Sequence, residues 1–461
     1  MVYGFAMVYL YSFCFNKKRL LFFHCNYYGI IYFKVLLPKC KEQSEREQKI
    51  QRRTMRSYPK FYITKKGERA ARAGHPWVYG EEVTKVEGAY ENGDLVDVVT
   101  EKGKYLGTGF VNDNSKIRVR LISANTNDKF DEAFWERRLR YALDYRRTVM
   151  PGDDYKCCRL IFGEADQFPG WTVDRYNDLL VIQTLSLGME LRKQMLIPLL
   201  VKLLRGDGET IRGVYERNDV KIRLLEGMEE GKGWFPLEGE AAPASPVTTI
   251  CENGIYYDVD VENGQKTGFF LDQKYNRQNV ARIAKGKHVL DCFTHTGSFA
   301  LNAAKGGAAH VTAVDVSGEA CRMTERNAEI NGVADRMDVV QVDVFALLDK
   351  LEAERNRDYD FIILDPPAFT KSRKTVRNAT AGYKDINMKA MKLLPRGGYL
   401  ATCSCSHFMK EDLFVEMLYE AAAEAHVMLR QIEARQQAPD HPILWNVPET
   451  NYLKFYIFQV V

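Results

Sequence analysis

The sequence predicts an α/β protein whose C-terminal half, residues 247–461, folds as a parallel, doubly wound sheet. Two observations carry this. From about Val247 onward, apolar strand-like runs alternate regularly with helix-like segments of ordinary length, the rhythm of βαβ units. Before that point the periodicity is different, with strict apolar/polar alternation near the N-terminus and a mixed pattern between. Three units are therefore expected after Met55: a small β-rich module at 55–124, a mixed α/β domain at 125–246, and the doubly wound domain at 247–461.

The first unit is read from runs such as Leu95-Val96-Asp97-Val98-Val99 and Ile117-Arg118-Val119-Arg120-Leu121-Ile122, punctuated by Glu91-Asn92-Gly93-Asp94 and Glu101-Lys102-Gly103. Alternation at period two with turn residues between runs specifies half-buried strands. Basic residues gather at Lys60, Lys65, Lys66, Arg69 and Arg72, next to His75-Pro76-Trp77-Val78-Tyr79. Cations for phosphates beside aromatics for bases suit RNA. Lys65, Lys66, Arg69, His75 and Trp77 are the candidate RNA contacts. The alternative is a packed Trp77 and Tyr79 behind a solvated basic face.

The second unit begins with a helix over Phe130 to Arg147. It continues through a turn-rich segment from Phe162 to Tyr176, a strand at Leu179 to Leu185, a helix near Arg192 to Leu204 and a strand at Gly213 to Glu216. Its polar cluster Glu164, Asp166, Asp174 and Arg175 is read as structural.

In the third unit, strands are expected at Lys287 to Phe293, His310 to Val316, Met337 to Val344, Tyr359 to Leu364, Tyr399 to Ser404, Val427 to Ala434 and Leu453 to Val460. Helices are expected at Ser298 to Ala304, Gly318 to Asn331, Ala346 to Asn356 and Gly382 to Leu394. Doubly wound sheets place their chemistry at the carboxyl ends of the strands. There the first strand runs into Asp291-Cys292-Phe293-Thr294-His295-Thr296-Gly297, a strand, sharp turn and helix start whose backbone N–H groups face a ligand. It lacks the spacing of a dinucleotide fingerprint, which favours a ligand needing one close backbone approach, at Gly297. Asp315 ends the second strand 24 residues after Asp291, where a carboxylate can accept from both hydroxyls of a ribose. Asp343 ends the third and is placed for an adenine edge. Each acid alone is an ordinary helix cap; three in succession form a pattern. The fourth strand ends in Asp365-Pro366-Pro367-Ala368-Phe369 and the fifth in Cys403-Ser404-Cys405-Ser406. Cys403 is expected to be packed and Cys405, at the exit, to be reactive. Lys266-Thr267-Gly268 lacks the spacing of a phosphate loop, which excludes a nucleotide triphosphatase.

Composition narrows the function classes. With 461 residues, 46% apolar and 27% charged, the chain is globular and large enough for two to four domains. Ten cysteines, several within apolar runs, suit reduced thiols in a cytosol rather than a disulfide framework. The net charge of +4 arises from residues 1–54, which carry ten Lys/Arg against three Glu; the remaining 407 residues are net acidic. RNA contact must therefore rest on a local basic patch. The apolar stretches of residues 1–37 are interrupted by Lys17-Lys18-Arg19 and lack a signal-peptide layout. Residues 1–54 are read as an extension ahead of a native start at Met55, with a weak membrane anchor as the alternative. Neither a metal site nor a DNA partner nor a stable membrane association is expected.

Several segments together carry a family resemblance: His75-Pro76-Trp77-Val78, Gly163-Glu164-Ala165-Asp166, Glu216-Arg217, Asn263 to Gln273 (NGQKTGFFLDQ), Asp365-Pro366-Pro367-Ala368-Phe369 and Ser404-Cys405-Ser406. Over residues 56–461 the chain resembles the class I S-adenosylmethionine-dependent RNA methyltransferases, more narrowly the large-subunit ribosomal RNA cytosine-C5 methyltransferases. The resemblance implies an N-terminal PUA-like RNA-binding domain, a middle α/β domain and a Rossmann-like methyltransferase domain with a mostly parallel seven-stranded sheet. It also implies S-adenosylmethionine as cofactor, 23S ribosomal RNA as substrate, a cytoplasmic location and often a homodimer. The cofactor set expected is Asp291, Phe293, Thr296, Gly297, Asp315, Asp343 and Asp365. Cys405 is the expected nucleophile and Asp365 its partner toward the base. An exocyclic-amine RNA methyltransferase and a non-catalytic ribosome-assembly factor are the competing readings.

Overall fold

In the computed structural model, the described residues are 58–370 and 372–461, together with a separate antiparallel hairpin, β1 (Leu10–Phe15) and β2 (Lys18–Phe23). The reading of residues 1–54 as an extension otherwise lies outside the described residues. Contacts divide the chain into two units, Met1–Ser57 and Tyr58–Val461.

The larger unit, Tyr58–Val461, opens with a six-stranded sheet of β3 (Lys60–Ile63), β4 (Trp77–Tyr79), β5 (Val83–Glu87), β6 (Leu95–Thr100), β7 (Tyr105–Val111) and β8 (Ile117–Ser123), in the order β4-β8-β7-β6-β3-β5. Helix α1 (Lys65–Arg72) interrupts the strands, capped by Thr64 Oγ1, which accepts from Gly67 N at 3.3 Å. Phe61, Ile63, Val78, Val96, Val98 and Val119 close a small core, the inward half of the alternation visible in the sequence.

Helix α2 (Glu132–Val149), capped by Asp131, opens the middle part. It packs with α4 (Lys193–Gly206) on a five-stranded sheet. The strands are β9 (Cys157–Phe162), β10 (Trp171–Tyr176), β11 (Leu179–Thr184), β12 (Gly213–Arg217) and β13 (Lys232–Trp234); the short α3 (Leu187–Glu190) precedes α4. The polar cluster read as structural is engaged inside the fold. Arg146 grips Asp166 with both terminal nitrogens, Arg159 grips Asp174, and Arg175 meets Glu209 at 2.6 Å.

A hairpin, β14 (Val247–Glu252) and β15 (Ile255–Asp260), leads through α5 (Lys274–Ile283) into the largest sheet. This sheet comprises β16 (His288–Cys292), β17 (His310–Asp315), β18 (Met337–Gln341), β19 (Phe361–Leu364), β20 (Tyr399–Ser404), β21 (Leu429–Arg435) and β22 (Lys454–Val460), in the order β18-β17-β16-β19-β20-β22-β21. Six strands run in one direction, and β22 alone enters antiparallel, between β20 and β21. The expected mostly parallel, seven-stranded doubly wound sheet is thus present. Its helices are α6 (Ser298–Lys305), α7 (Gly318–Ile330), α8 (Val344–Ala353), α9 (Val376–Leu393) and α10 (Glu411–Glu424). The strand order reverses between β16 and β19, so a crevice opens at their carboxyl ends, where such folds bind ligands.

Candidate active site at the carboxyl edge

The turn after β16 is built around Asp291. Its Oδ2 accepts from Thr294 Oγ1 at 2.6 Å and from Ala300 N at 2.9 Å, tying the strand end to the first turn of α6. Burial pushes this carboxyl up to about 7. Phe293 and His295 sit in the left-handed region, at φ 64° and 54°, a conformation that side chains rarely adopt outside functional turns. Gly297, at φ +80°, would bring an added Cβ within 2.7 Å of Thr324. Packing on α7 alone therefore requires a glycine here. Buried Asp291 Oδ1 and Thr296 Oγ1 have no partner among the described residues, so the turn holds unspent hydrogen-bonding capacity next to the crevice.

Asp315, half-buried, uses both carboxylate oxygens to gather the neighbouring turns. Oδ2 accepts from His295 N at 3.0 Å and Oδ1 from Ser317 N at 2.9 Å. Each oxygen retains a lone pair, which a pair of hydroxyls can use. Asp343 lies two residues beyond β18, exposed, with Oδ1 capping α8 by accepting from Ala346 N at 3.0 Å.

On the far side of the reversal, Asp365 leaves β19 and meets the exit of β20. Cys403 Sγ donates to Asp365 Oδ1 at 2.9 Å, and Gln273 Nε2 donates to the same oxygen at 3.2 Å and reaches Cys403 Sγ at 3.3 Å. Burial raises the Asp365 carboxyl above its usual range. Cys403 is 1% exposed, and burial drives its thiol well above the ordinary range. Two residues on, Cys405 is partly exposed. Burial pushes its thiol up to about 11, against the opposing pull of Lys266 and Lys454.

Lys454 stands first on β22, opposite Ser404. Its Nζ is held at 2.7 Å by each of two carbonyls, Ser406 and Tyr452, and burial lowers its pKa to about 8. Among the described residues no carboxylate forms an ion pair with it, so its positive charge acts on the neighbouring thiol. The sequence pattern assigned no role to Lys454, nor to Gln273 or Lys266. A lone lysine within the apolar run Leu453-Lys454-Phe455-Tyr456-Ile457 was the available signal.

The candidate RNA contacts separate into two groups. Lys65, Lys66 and Arg69 are exposed along α1, where Lys66 lies 3.6 Å from Glu81. His75 and Trp77 turn toward the other domains. Trp77 Nε1 donates to Glu164 Oε1 at 3.0 Å, and His75 Nε2 lies 3.5 Å from Glu449 Oε2. Glu164 also pairs with Arg120 at 3.2 Å, so these aromatics occupy a seam between the small β-rich domain and its neighbours.

Comparison with known proteins decides the family. Residues 61–124 match the PUA-like domain family and residues 237–458 the S-adenosylmethionine-dependent methyltransferase family. The chain is 38% identical over 405 residues to ribosomal RNA large subunit methyltransferase I of Klebsiella pneumoniae, covering 88% of this chain and 99% of the relative. It is 40% identical over 400 residues to the enzyme of that name from Pseudoalteromonas translucida, covering 87% and 98%. The chain belongs to the ribosomal RNA large subunit methyltransferase I family. As a member of that family it is an S-adenosylmethionine-dependent methyltransferase with a PUA-like domain ahead of the catalytic one. Solved structures agree on the fold. A putative S-adenosylmethionine-dependent methyltransferase from Streptococcus mutans superposes with a TM-score of 0.71 at 22% identity, covering 87% of this chain and all of that one. A putative methyltransferase complexed with SAH gives 0.72 at 23%, with the same coverage.

The turn fits the cofactor of this family. Among the described residues, Asp291 Oδ1 and Thr296 Oγ1 are without partners and Asp315 keeps spare lone pairs, polar capacity of the kind that a nucleoside and an amino acid moiety can use.

Proposed function

We propose that the chain methylates carbon 5 of a cytosine in 23S ribosomal RNA, in the cytoplasm, through a covalent adduct on Cys405. One observation carries this reading: a partly exposed thiol, Cys405, shares the crevice with a half-buried carboxyl, Asp365, whose acidity is reduced by desolvation. Carbon 5 of cytosine is too weak a nucleophile to take a methyl group unaided, so a thiolate must first add to carbon 6. An amine target needs no such thiol.

S-adenosylmethionine, when bound, supplies the electrophilic methyl group, and Asp291, Phe293, Thr296, Gly297, Asp315, Asp343 and Asp365 are the residues proposed to hold it. Cys405 Sγ bonds to carbon 6 while Asp365, protonated, hydrogen-bonds to N3 or gives it its proton. The π pair of C5=C6 thereby becomes available at carbon 5. Lys454 favours the thiolate by its charge, and Gln273 and Cys403 fix the Asp365 carboxyl. Once carbon 5 is methylated, water takes its proton, the electron pair returns to C5=C6, the C6–S bond breaks, the thiolate leaves, and any proton that N3 received goes back to Asp365. Ala368 follows Pro366-Pro367, so no second thiol stands on that loop and Cys405 serves alone.

RNA containing 5-fluorocytidine tests this, since fluorine cannot leave as a proton and the adduct should persist. Large-subunit RNA so substituted should become covalently linked to Cys405 and carry the transferred methyl group.

A further inference from the structure

The segment between β21 and β22, residues 436–453, is a strap that starts at the catalytic edge and reaches the PUA-like domain. Because β21 runs parallel to β20, the strap leaves the sheet on the same side as Cys405 and Asp365. Its two feet are tied to the loop that carries Gln273: Ala438 N donates to Asp272 O at 2.8 Å and Tyr452 Oη to Asp272 Oδ2 at 2.6 Å. Its flank is tied to the middle domain, with Arg146 Nη2 donating to Asp440 O at 2.9 Å and Arg159 N to Asp440 Oδ2 at 2.8 Å. Its tip touches the PUA-like domain through Asn446 Nδ2, which donates to Gly74 O, and through Glu449 against His75.

Trp445 lies on this pinned tip and is 96% exposed, whereas Val447 two residues away is fully buried. Trp135 and Trp171, by contrast, are completely enclosed. An indole held out by an ordered segment offers a large, rigid apolar face at little conformational cost, the property of an aromatic that binds by stacking. Its surroundings say what it stacks on. Asn446 bonds to Gly74, just past the end of α1, and helix α1 carries the exposed cations Lys65, Lys66, Arg69 and Arg72. Trp445 is thus the immediate chain neighbour of the residue that holds the strap to the end of this cationic helix.

We infer that Trp445 is a stacking platform for an unpaired base of the RNA substrate, lying between the phosphate-binding helix α1 and the catalytic crevice. This rests on the proposal that RNA is the substrate. Stacking is indifferent to base identity and adds affinity without adding phosphate contacts.

The test uses the full chain, a large-subunit RNA transcript and the variants W445A and W445F, with binding followed across a potassium chloride series. W445A should bind about 10-fold more weakly, with the slope of log Kd against log salt unchanged, since every phosphate contact remains. W445F, which keeps a ring, should recover most of the affinity. In methylation, W445A should raise KM while kcat holds, and its melting temperature should match the parent because the side chain is solvent-exposed. RNA should quench tryptophan emission in the parent and much less in W445F. If the parent binds the transcript and W445A binds it within two-fold, the stacking site is overturned while the RNA substrate stands. A W445A chain that changes its oligomeric state but not its RNA affinity assigns the indole to self-association and also overturns the proposal. A parent chain with no affinity for the transcript overturns both.

Discussion

Cys403 Sγ lies 2.9 Å from Asp365 Oδ1, so of the two thiols leaving β20, one is already bonded to the crevice carboxylate and the other is not. The fully buried Cys403 is a donor to Asp365, and Cys405, partly exposed two residues later, is the thiol proposed to meet the substrate. Replacing Cys403 by alanine should therefore cost about 1 kcal/mol of stability, through a lost hydrogen bond and a small void, while covalent trapping on Cys405 persists. Denaturant unfolding and adduct formation measured on the same variant check both halves.

Asp315 accepts from two backbone N–H groups and keeps one lone pair on each oxygen. As the proposed ribose acceptor it should matter to cofactor affinity. Asp315→Ala should weaken S-adenosylmethionine binding by about 1 to 3 kcal/mol, measured by calorimetry. Unchanged affinity would remove Asp315 from the cofactor set.

The Lys454 ammonium, lowered to about 8 by burial, is positive below that pH, and its charge favours the Cys405 thiolate, whose own pKa burial lifts to about 11. Taking the charge away disfavours the anion, so in Lys454→Met the reactive window of Cys405 should move to higher pH. Iodoacetamide labelling of Cys405, followed by peptide mass from mildly acidic to alkaline pH, reads this without any turnover. A profile that coincides with that of the parent would deny Lys454 an electrostatic role.

Lys65, Lys66 and Arg69 line the exposed side of α1. If they meet phosphates, replacing all three by glutamine should weaken RNA binding across sequences and reduce the salt slope by about 0.7 to 0.9 for each phosphate no longer neutralised. A slope equal to that of the parent would mean the helix is simply a solvated face.

Most of the fold could be read from the sequence because its signals are local. The expected Tyr399 to Ser404 strand coincides with β20, and the other sheet strands differ at their ends by up to three residues. Among the helices the largest departure is α9, which starts at Val376 rather than Gly382; among the sheet strands it occurs where a side chain acts on the backbone. The strand expected to run to Val344 stops at Gln341, because Asp343 caps α8 and commits the chain to a helix. Asp291, Asp315 and Asp365 were legible because they stand at strand ends. Gln273 was not, since its bonds to Asp365 and Cys403 span 92 and 130 residues. The partner of Trp77, Glu164, 87 residues away, was equally hidden; the sequence offered an engaged indole behind an exposed basic face as an alternative, without saying what would engage it.

The central claim, that Cys405 attacks a cytosine ring, is tested most directly by incubating the chain with S-adenosylmethionine and 5-fluorocytidine-substituted large-subunit RNA, then identifying the linked peptide by mass. The account predicts a methylated nucleotide attached to the peptide containing Cys405, absent from Cys405→Ala and retained in Cys403→Ala. Normal methylation of unsubstituted RNA by Cys405→Ala, with the methyl group on an exocyclic amine, would contradict it.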